Sequence, residues 1–167
     1  MYEIGEYIVH PGQGVCLVED VVDNPSATYQ LLPVGQRHPM RISFPVASES
    51  RLRPVLSHEE AEDIIAQYPT MQVDEFTNKS NALEEEHFRD EIRLGSCRDS
   101  VRVVKTFRTR IAEVKARNKK PPVAYERILK QASERSLSEL AVALDSTPDD
   151  VRVLFEDVPD ENEIRQN

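Results

Sequence analysis

Two short apolar runs open the chain, Tyr7-Ile8-Val9 and Val15-Cys16-Leu17-Val18, separated by Pro11-Gly12-Gln13-Gly14. Proline fixes φ and glycine tolerates positive φ, so the spacer turns and the two runs pair as a hairpin. Tyr29-Gln30-Leu31-Leu32 reads as a third strand, followed by a loop containing Gly35 and Pro39. Hydrophobic and polar positions then alternate. Met40, Ile42, Phe44 and Val46 share one face, Arg41 and Ser43 the other. Pro45 has no N–H for a ladder, so this run ends, or exposes an edge, near there. Arg51-Leu52-Arg53-Pro54-Val55 supplies a last short strand. Five short strands in this space predict a Tudor-like or SH3-like β-barrel over residues 1–55.

The period changes at Ser57. Ser57-His58-Glu59-Glu60 has the form of a capping box, and the helix it opens should run to about Tyr68, where Pro69 stops it. A connector from Thr70 to Lys79 follows. Ser80 is placed to cap a second helix ending at Gly95, with Leu83, Phe88 and Ile92 inward. Ser96 and Asp99 start a third, on which Val101, Val104, Phe107, Ile111 and Val114 recur at three and four. Asn118-Lys119-Lys120-Pro121-Pro122 ends it, and prolines suit the first turn of the next helix, bearing Tyr125, Ile128, Leu129 and Ala132. Ser136 with Glu139 predicts a cap for a fifth helix, bearing Leu137, Leu140, Ala141 and Leu144. Thr147-Pro148 opens a sixth, with Val151, Leu154 and Phe155. The expected fold class is α+β: a five-stranded β-barrel over 1–55, an all-α helical domain over 56–157, and an acidic tail over 158–167.

Composition narrows the functional classes. No apolar run is long enough to span a membrane. Glu3 and Glu6 stand where a signal peptide needs basic residues, so a cytoplasmic location is expected. Cys16 and Cys97 then read as reduced thiols. The four histidines show no metal-ligand spacing with each other or with the cysteines. Gly12-Gln13-Gly14 is half of a dinucleotide fingerprint and sits in a hairpin, not before a helix. Glu84-Glu85-Glu86 suits the first turn of a helix, where carboxylates favour the dipole. Nothing here points to an enzyme, a cofactor, a resident metal or a small-molecule substrate.

The net charge is −9, but it is unevenly placed. Residues 98–135 hold twelve Lys/Arg against four Asp/Glu, and the remainder nine against twenty-six. Such asymmetry is either a basic face for a polyanion or the solvated side of amphipathic helices. Leu140 to Leu144, a turn at Asp145-Ser146-Thr147, and Val151 have the spacing of a helix-turn-helix. The second helix, however, carries Asp149, Asp150, Glu156 and Asp157 against Arg152 alone, and carboxylates repel a duplex. A packed helical hairpin is the better reading.

The opening residues Tyr2, Ile4-Gly5-Glu6-Tyr7-Ile8-Val9-His10-Pro11, Gly14-Val15 and Val18-Glu19 resemble the start of the CarD/CdnL family of bacterial transcription regulators. The same module occurs as the RNA-polymerase-interacting domain of the transcription-repair coupling factor. The resemblance continues through Phe44-Pro45-Val46, Arg53-Pro54 and Ser57-His58-Glu59-Glu60-Ala61. In the helical half it is similar to the clostridial branch at Cys97-Arg98, Val103-Val104-Lys105-Thr106, Lys119-Lys120 and Glu139 to Leu144.

This resemblance implies a Tudor-like barrel docking on the RNA polymerase β subunit through a sheet edge, whose unpaired backbone groups can extend a partner sheet. By position the contact would use Arg41, Ile42, Ser43 and Phe44, with Val22, Asp23 and Asn24 beside them. Well-known members carry arginines where Asn24 and Ser43 stand here. The resemblance also implies that the helical domain touches promoter DNA at the upstream edge of the bubble. There, well-known members insert a tryptophan wedge. This chain has no tryptophan. The corresponding stretch is Phe76-Thr77-Asn78-Lys79, in which Phe76 is a smaller wedge or a core residue. The family's following arginines are replaced by Asn81, Ala82 and Leu83. Lys79, Arg102, Lys105, Arg108, Lys115, Lys119 and Lys120 are the candidate phosphate contacts. The expected function is regulation of transcription through open-complex stability. The alternatives are polymerase binding without DNA contact, and a free-standing repressor using the Leu140–Val151 hairpin.

Overall fold

The structure is a computed structural model that describes residues 1–156; the expected acidic tail over 158–167 lies outside them. The chain divides into two compact units, Met1–Ser57 and His58–Asn167. Among the described residues, no helix is long and apolar enough to cross a membrane.

The first unit is a five-stranded antiparallel sheet. Its strands are β1 (Tyr7–His10), β2 (Gly14–Asp23), β3 (Ala27–Pro33), β4 (Ile42–Pro45) and β5 (Arg53–Pro54), in the spatial order β4-β3-β2-β1-β5. The opening hairpin forms as its spacer predicts, with Tyr7 opposite Leu17 and His10 opposite Gly14. Gly14 takes φ +76°, and His10 Nδ1 accepts the N–H groups of Gly12 and Gln13 at 3.0 and 3.1 Å. The turn's donors are thereby satisfied within the turn.

Ile8, Cys16, Val18, Tyr29, Leu31, Phe44 and Leu52 form the core of this unit. A register shift between Val18 and Asp20 resets the alternation along β2, so that both Val18 and Val21 turn toward it. The Tyr29 hydroxyl donates to Glu49 Oε2 at 2.6 Å and accepts the Tyr2 N–H at 2.9 Å. These bonds tie the first residues and a 3-10 helix (Val46–Arg51) to the sheet.

The expected five strands followed by helices are present, while closure into a barrel is not confirmed: β4 and β5 form the two edges of the sheet, and no ladder joins them among the described residues. Both strands are short and contain proline, Pro45 and Pro54, which removes ladder donors where closure would need them. Met40, expected on the inward face with Ile42 and Phe44, precedes β4 and is 79% exposed.

The second unit holds α1 (His58–Gln67), α2 (Asn81–Leu94), α3 (Cys97–Ala116), α4 (Val123–Ala143) and α5 (Pro148–Glu156). Their ends follow local chemistry. Ser80 caps α2 by accepting the Leu83 N–H. Ser96 and Asp99 form a reciprocal capping box on α3. Thr147 Oγ1 accepts the Asp150 N–H at 3.2 Å at the start of α5. Gly95 joins α2 to α3, and an added Cβ would lie 2.5 Å from Glu91 O and 2.8 Å from Asp99 Oδ2. Phe88, Ile92, Val103, Phe107, Ile128 and Ala132 form a core between α2, α3 and α4.

The fourth and fifth helices expected from sequence are one continuous helix, α4. Ser136 does not cap a new helix. Its hydroxyl donates to Ala132 O at 2.8 Å, four residues back. That bond keeps the hydroxyl inside the helix it was expected to interrupt, and neither Gly nor Pro lies between Val123 and Ala143 to break the run.

Candidate functional site

Two surfaces come from the sequence: the β4 edge and the basic residues of the helical unit. β4 pairs with β3 alone, with Tyr29 opposite Phe44, Gln30 opposite Ser43 and Leu31 opposite Ile42. Its other side is a sheet edge. Phe44 points into the core, edge-to-face with His10 at 5.4 Å between ring centres, and Ile42 packs against the same core. These two residues therefore offer an approaching strand their backbone, not their side chains. Ser43 is exposed, and its Oγ donates to Gln30 Oε1 at 3.1 Å. Gln30 Nε2 in turn donates to Thr28 Oγ1 at 3.4 Å. Arg41 Nε donates to Glu19 Oε2 at 2.7 Å, a pair that bridges the chain entering β4 and the bulge of β2.

Val22, Asp23 and Asn24 are exposed but do not stand beside β4. The end of β2 pairs with β3, Val22 opposite Thr28 and Asp23 opposite Ala27, so β3 lies between β2 and β4. The edge and the hairpin end are one strand apart.

The basic residues of α3 divide into two groups. Those nearer its start have partners within the unit. Arg102 Nη2 pairs with Glu91 at 2.7 Å and with Asp99 at 3.5 Å, and Glu91 foremost holds the Arg102 pKa above its usual value against the effect of burial. Lys105 is 4% exposed, and its Nζ donates to Tyr68 O at 3.0 Å and Pro69 O at 2.8 Å. An ammonium so placed caps the carbonyls of a 3-10 turn (Tyr68–Thr70) rather than facing solvent. Arg108 Nη1 donates to the Tyr68 hydroxyl at 2.9 Å. The second group lies at the end of α3 and just beyond it. Lys115, Arg117, Lys119 and Lys120 are exposed and enter no ion pair among the described residues. Asn118, within this group, takes φ +56° and turns the chain out of α3. Lys79 is also exposed, before α2.

Phe76 is half-buried and belongs to the helical core. It stacks on His87 with ring centres 3.7 Å apart and meets Phe88 edge-on at 5.9 Å. The segment around it is tied down by residues of α2 and α3. Arg110 Nη2 donates to Asp74 O at 3.2 Å and Phe76 O at 2.5 Å, while Nη1 pairs with Glu84 at 3.0 Å. Glu84 Oε2 accepts the Asn78 N–H at 2.9 Å, and Thr106 Oγ1 accepts the Asp74 N–H at 2.9 Å. Glu84 stands in the first turn of α2, as expected, but its side chain is only 5% exposed. Its position in the first turn of α2 was legible, but its partner twenty-six residues on was not.

Asp74, His87 and Glu91 also converge, with one potential ligand atom from each within 4.8 Å of the others. His87 and Glu91 are four apart on α2, and Asp74 comes from the connector. Arg102 already pairs with the Glu91 carboxylate of this cluster. Across α2, Glu85 accepts from Arg127 Nε and Nη2, both at 3.0 Å, and Arg127 is the main cause of a Glu85 pKa below the usual carboxylate value.

A search among curated proteins finds no match to the chain. The family model described as the CarD-like/TRCF RID domain matches residues 2–56. The match covers the sheet from the residues before β1 to those after β5, and it leaves the helical unit outside. The N-terminal unit of this chain is therefore a CarD-like RNA-polymerase-interacting domain.

Proposed function

We propose that this protein is a transcription regulator that docks on the RNA polymerase β subunit through β4 and lays its helical unit against promoter DNA. The match of residues 2–56 to a polymerase-interacting domain carries the reading. The exposed β4 edge supports it, since an edge strand offers backbone donors and acceptors to a partner strand. On the helical unit, Lys115, Arg117, Lys119 and Lys120 form the phosphate-facing set, with Lys79. Their contacts would be sequence-independent and salt-sensitive. Arg102 and Lys105 serve the fold instead, Arg108 is exposed and braced by the Tyr68 hydroxyl, and Phe76 packs rather than wedges. By bridging polymerase and upstream DNA, the protein would change the lifetime of the open complex.

Docking is tested by titrating the full chain with the isolated β-subunit lobe. Arginine at Asn24 and Ser43, as in well-known members of the family, should strengthen binding if this edge is the contact. No binding by the parent chain at tens of micromolar, or no gain from the arginines, would place docking elsewhere or remove it.

A second reading is polymerase binding without DNA contact. The internal engagement of half the basic cluster favours it, as does the acidic balance of the chain. Charge reversal at Lys115, Lys119 and Lys120 separates the two. Unchanged promoter binding by the polymerase complex, with an unchanged salt slope, would favour the second. A free-standing repressor fits less well, because α5 exposes Asp149, Asp150 and Glu156, and its Arg152 is paired with Asp149 at 3.2 Å.

A further inference from the structure

Asp74 of the connector and His87 and Glu91 of α2 form a cluster that the polymerase and DNA contacts leave unused. One ligand atom from each lies within 4.8 Å of the others, and all three residues are half-buried. His87 and Glu91 stand four apart, on one face of α2. His87 Nε2 is 3.8 Å from Glu91 Oε2, too far for a hydrogen bond. Two ligands each ~2.1 Å from one zinc ion stand ~3.4 Å apart, so a small side-chain rotation brings this pair to ligand spacing. Each group is also oriented from behind. Phe76 stacks on the His87 ring at 3.7 Å and fixes its plane. Arg102 holds Glu91 Oε1 at 2.7 Å and leaves Oε2 on the His87 side. Asp74 Oδ1 accepts the Phe76 N–H at 2.9 Å, and Thr106 Oγ1 accepts the Asp74 N–H. Outer partners of this kind hold metal ligands in place.

Charge decides what the cluster can take. Arg102 is shared between Glu91 and Asp99, at 2.7 and 3.5 Å, and Asp74 lies near enough to raise the Arg102 pKa with them. Asp74 itself enters no ion pair among the described residues. Three carboxylates thus face one guanidinium, an excess of two negative charges that a divalent cation balances. An imidazole nitrogen beside carboxylate oxygens suits zinc better than magnesium or calcium, which favour oxygen alone. We propose that Asp74, His87 and Glu91 bind one zinc ion, with water completing its coordination. The ion pins the connector to α2 just before Phe76. His58 and Glu62 supply an internal comparison: the same spacing on α1, 3.3 Å apart, but with both side chains exposed and outside the three-ligand cluster. The proposal does not rest on polymerase docking.

Zinc chloride is titrated calorimetrically into metal-stripped full-length protein. One saturable site is expected, and excess magnesium should not displace the ion. Asp74→Asn and His87→Gln should each weaken binding at least about tenfold, while His58→Gln binds as the parent does. Zinc should raise the melting temperature of the parent and not that of Asp74→Asn. Asparagine can still accept the Phe76 N–H, and circular dichroism without metal checks that the variant is folded. If His87→Gln fails to fold, Asp74→Asn decides alone. Cobalt(II) gives a second readout, a visible absorption band in the parent that Asp74→Asn lacks. No saturable binding up to about 1 mM zinc, Asp74→Asn binding as tightly as the parent, or an equal loss from His58→Gln would overturn the proposal.

Discussion

Replacing Arg110 by alanine should unfold the helical unit more readily than any other single loss of charge in the chain. Its guanidinium holds Glu84 at 3.0 Å, with the two side chains 14% and 5% exposed. It also donates to two connector carbonyls and lies 5.4 and 5.0 Å from the ring centres of Phe88 and Phe107. Alanine would leave the Glu84 carboxylate buried without its cation, and the carbonyls of Asp74 and Phe76 without that donor. Breaking a buried pair from one side costs about 3–5 kcal/mol. Arg110→Lys keeps a charge but not the forked donation, and should lose about 1–2 kcal/mol. Glu84→Gln added to Arg110→Ala should cost less than the sum of the single losses, by about 1–3 kcal/mol, because both changes remove one shared interaction. Urea titration followed at 222 nm reads this unit, since every described α-helix lies beyond residue 57. An Arg110→Ala loss below about 1 kcal/mol, the range of an exposed pair, or strict additivity would refute the reasoning.

Four further outcomes are expected. The Tyr29 pKa is raised by burial and by its hydrogen bond to Glu49, so its stabilisation is complete below the unfolded tyrosine value near ~10 and is lost as pH rises through the higher folded value. Alkaline melting of the sheet unit should show this loss, and Tyr29→Phe should remove it while costing about 1 kcal/mol at neutral pH. The Glu85 pKa is lowered, chiefly by Arg127, so its contribution is present above the unfolded glutamate value and fades as pH falls through the lower folded one; Arg127→Ala should flatten that acid limb of the helical melt. Gly95→Ala should cost about 1–3 kcal/mol in thermal or urea unfolding, because its Cβ meets backbone at Glu91 O, which cannot move without opening α2. If the basic end of α3 contacts promoter phosphates, replacing Lys115, Lys119 and Lys120 by glutamine should lower the salt slope of promoter binding by up to about 3.

The elements whose cause is local were legible in the chain. The Pro11–Gly14 turn, the Ser80 cap, the Ser96–Asp99 box and the Gly95 stop each depend on residues within a few positions of one another, and each formed as read. The opening hairpin's wording also pointed to the polymerase-interacting domain that residues 2–56 match. Local wording failed where a remote partner decided the outcome. Ser136-x-x-Glu139 has the letters of a cap, yet both residues are buried within α4, which runs past them unbroken. Lys105 read as a phosphate contact, but the 3-10 turn at Tyr68–Thr70 lies over it and supplies the Tyr68 and Pro69 carbonyls as its partners, as the connector does for Arg110 with those of Asp74 and Phe76. Phe76 had no periodicity to place it, and its stacking on His87 required α2 to come alongside. Sequence alone therefore determined the strands and most helix ends, because those follow from backbone dihedrals and short-range hydrogen bonds, and its resemblance to a known family pointed to the domain that residues 2–56 match. Only the tertiary structure decided that the sheet stays open at β4, and which cations face outward, because both depend on residues brought together from distant parts of the chain.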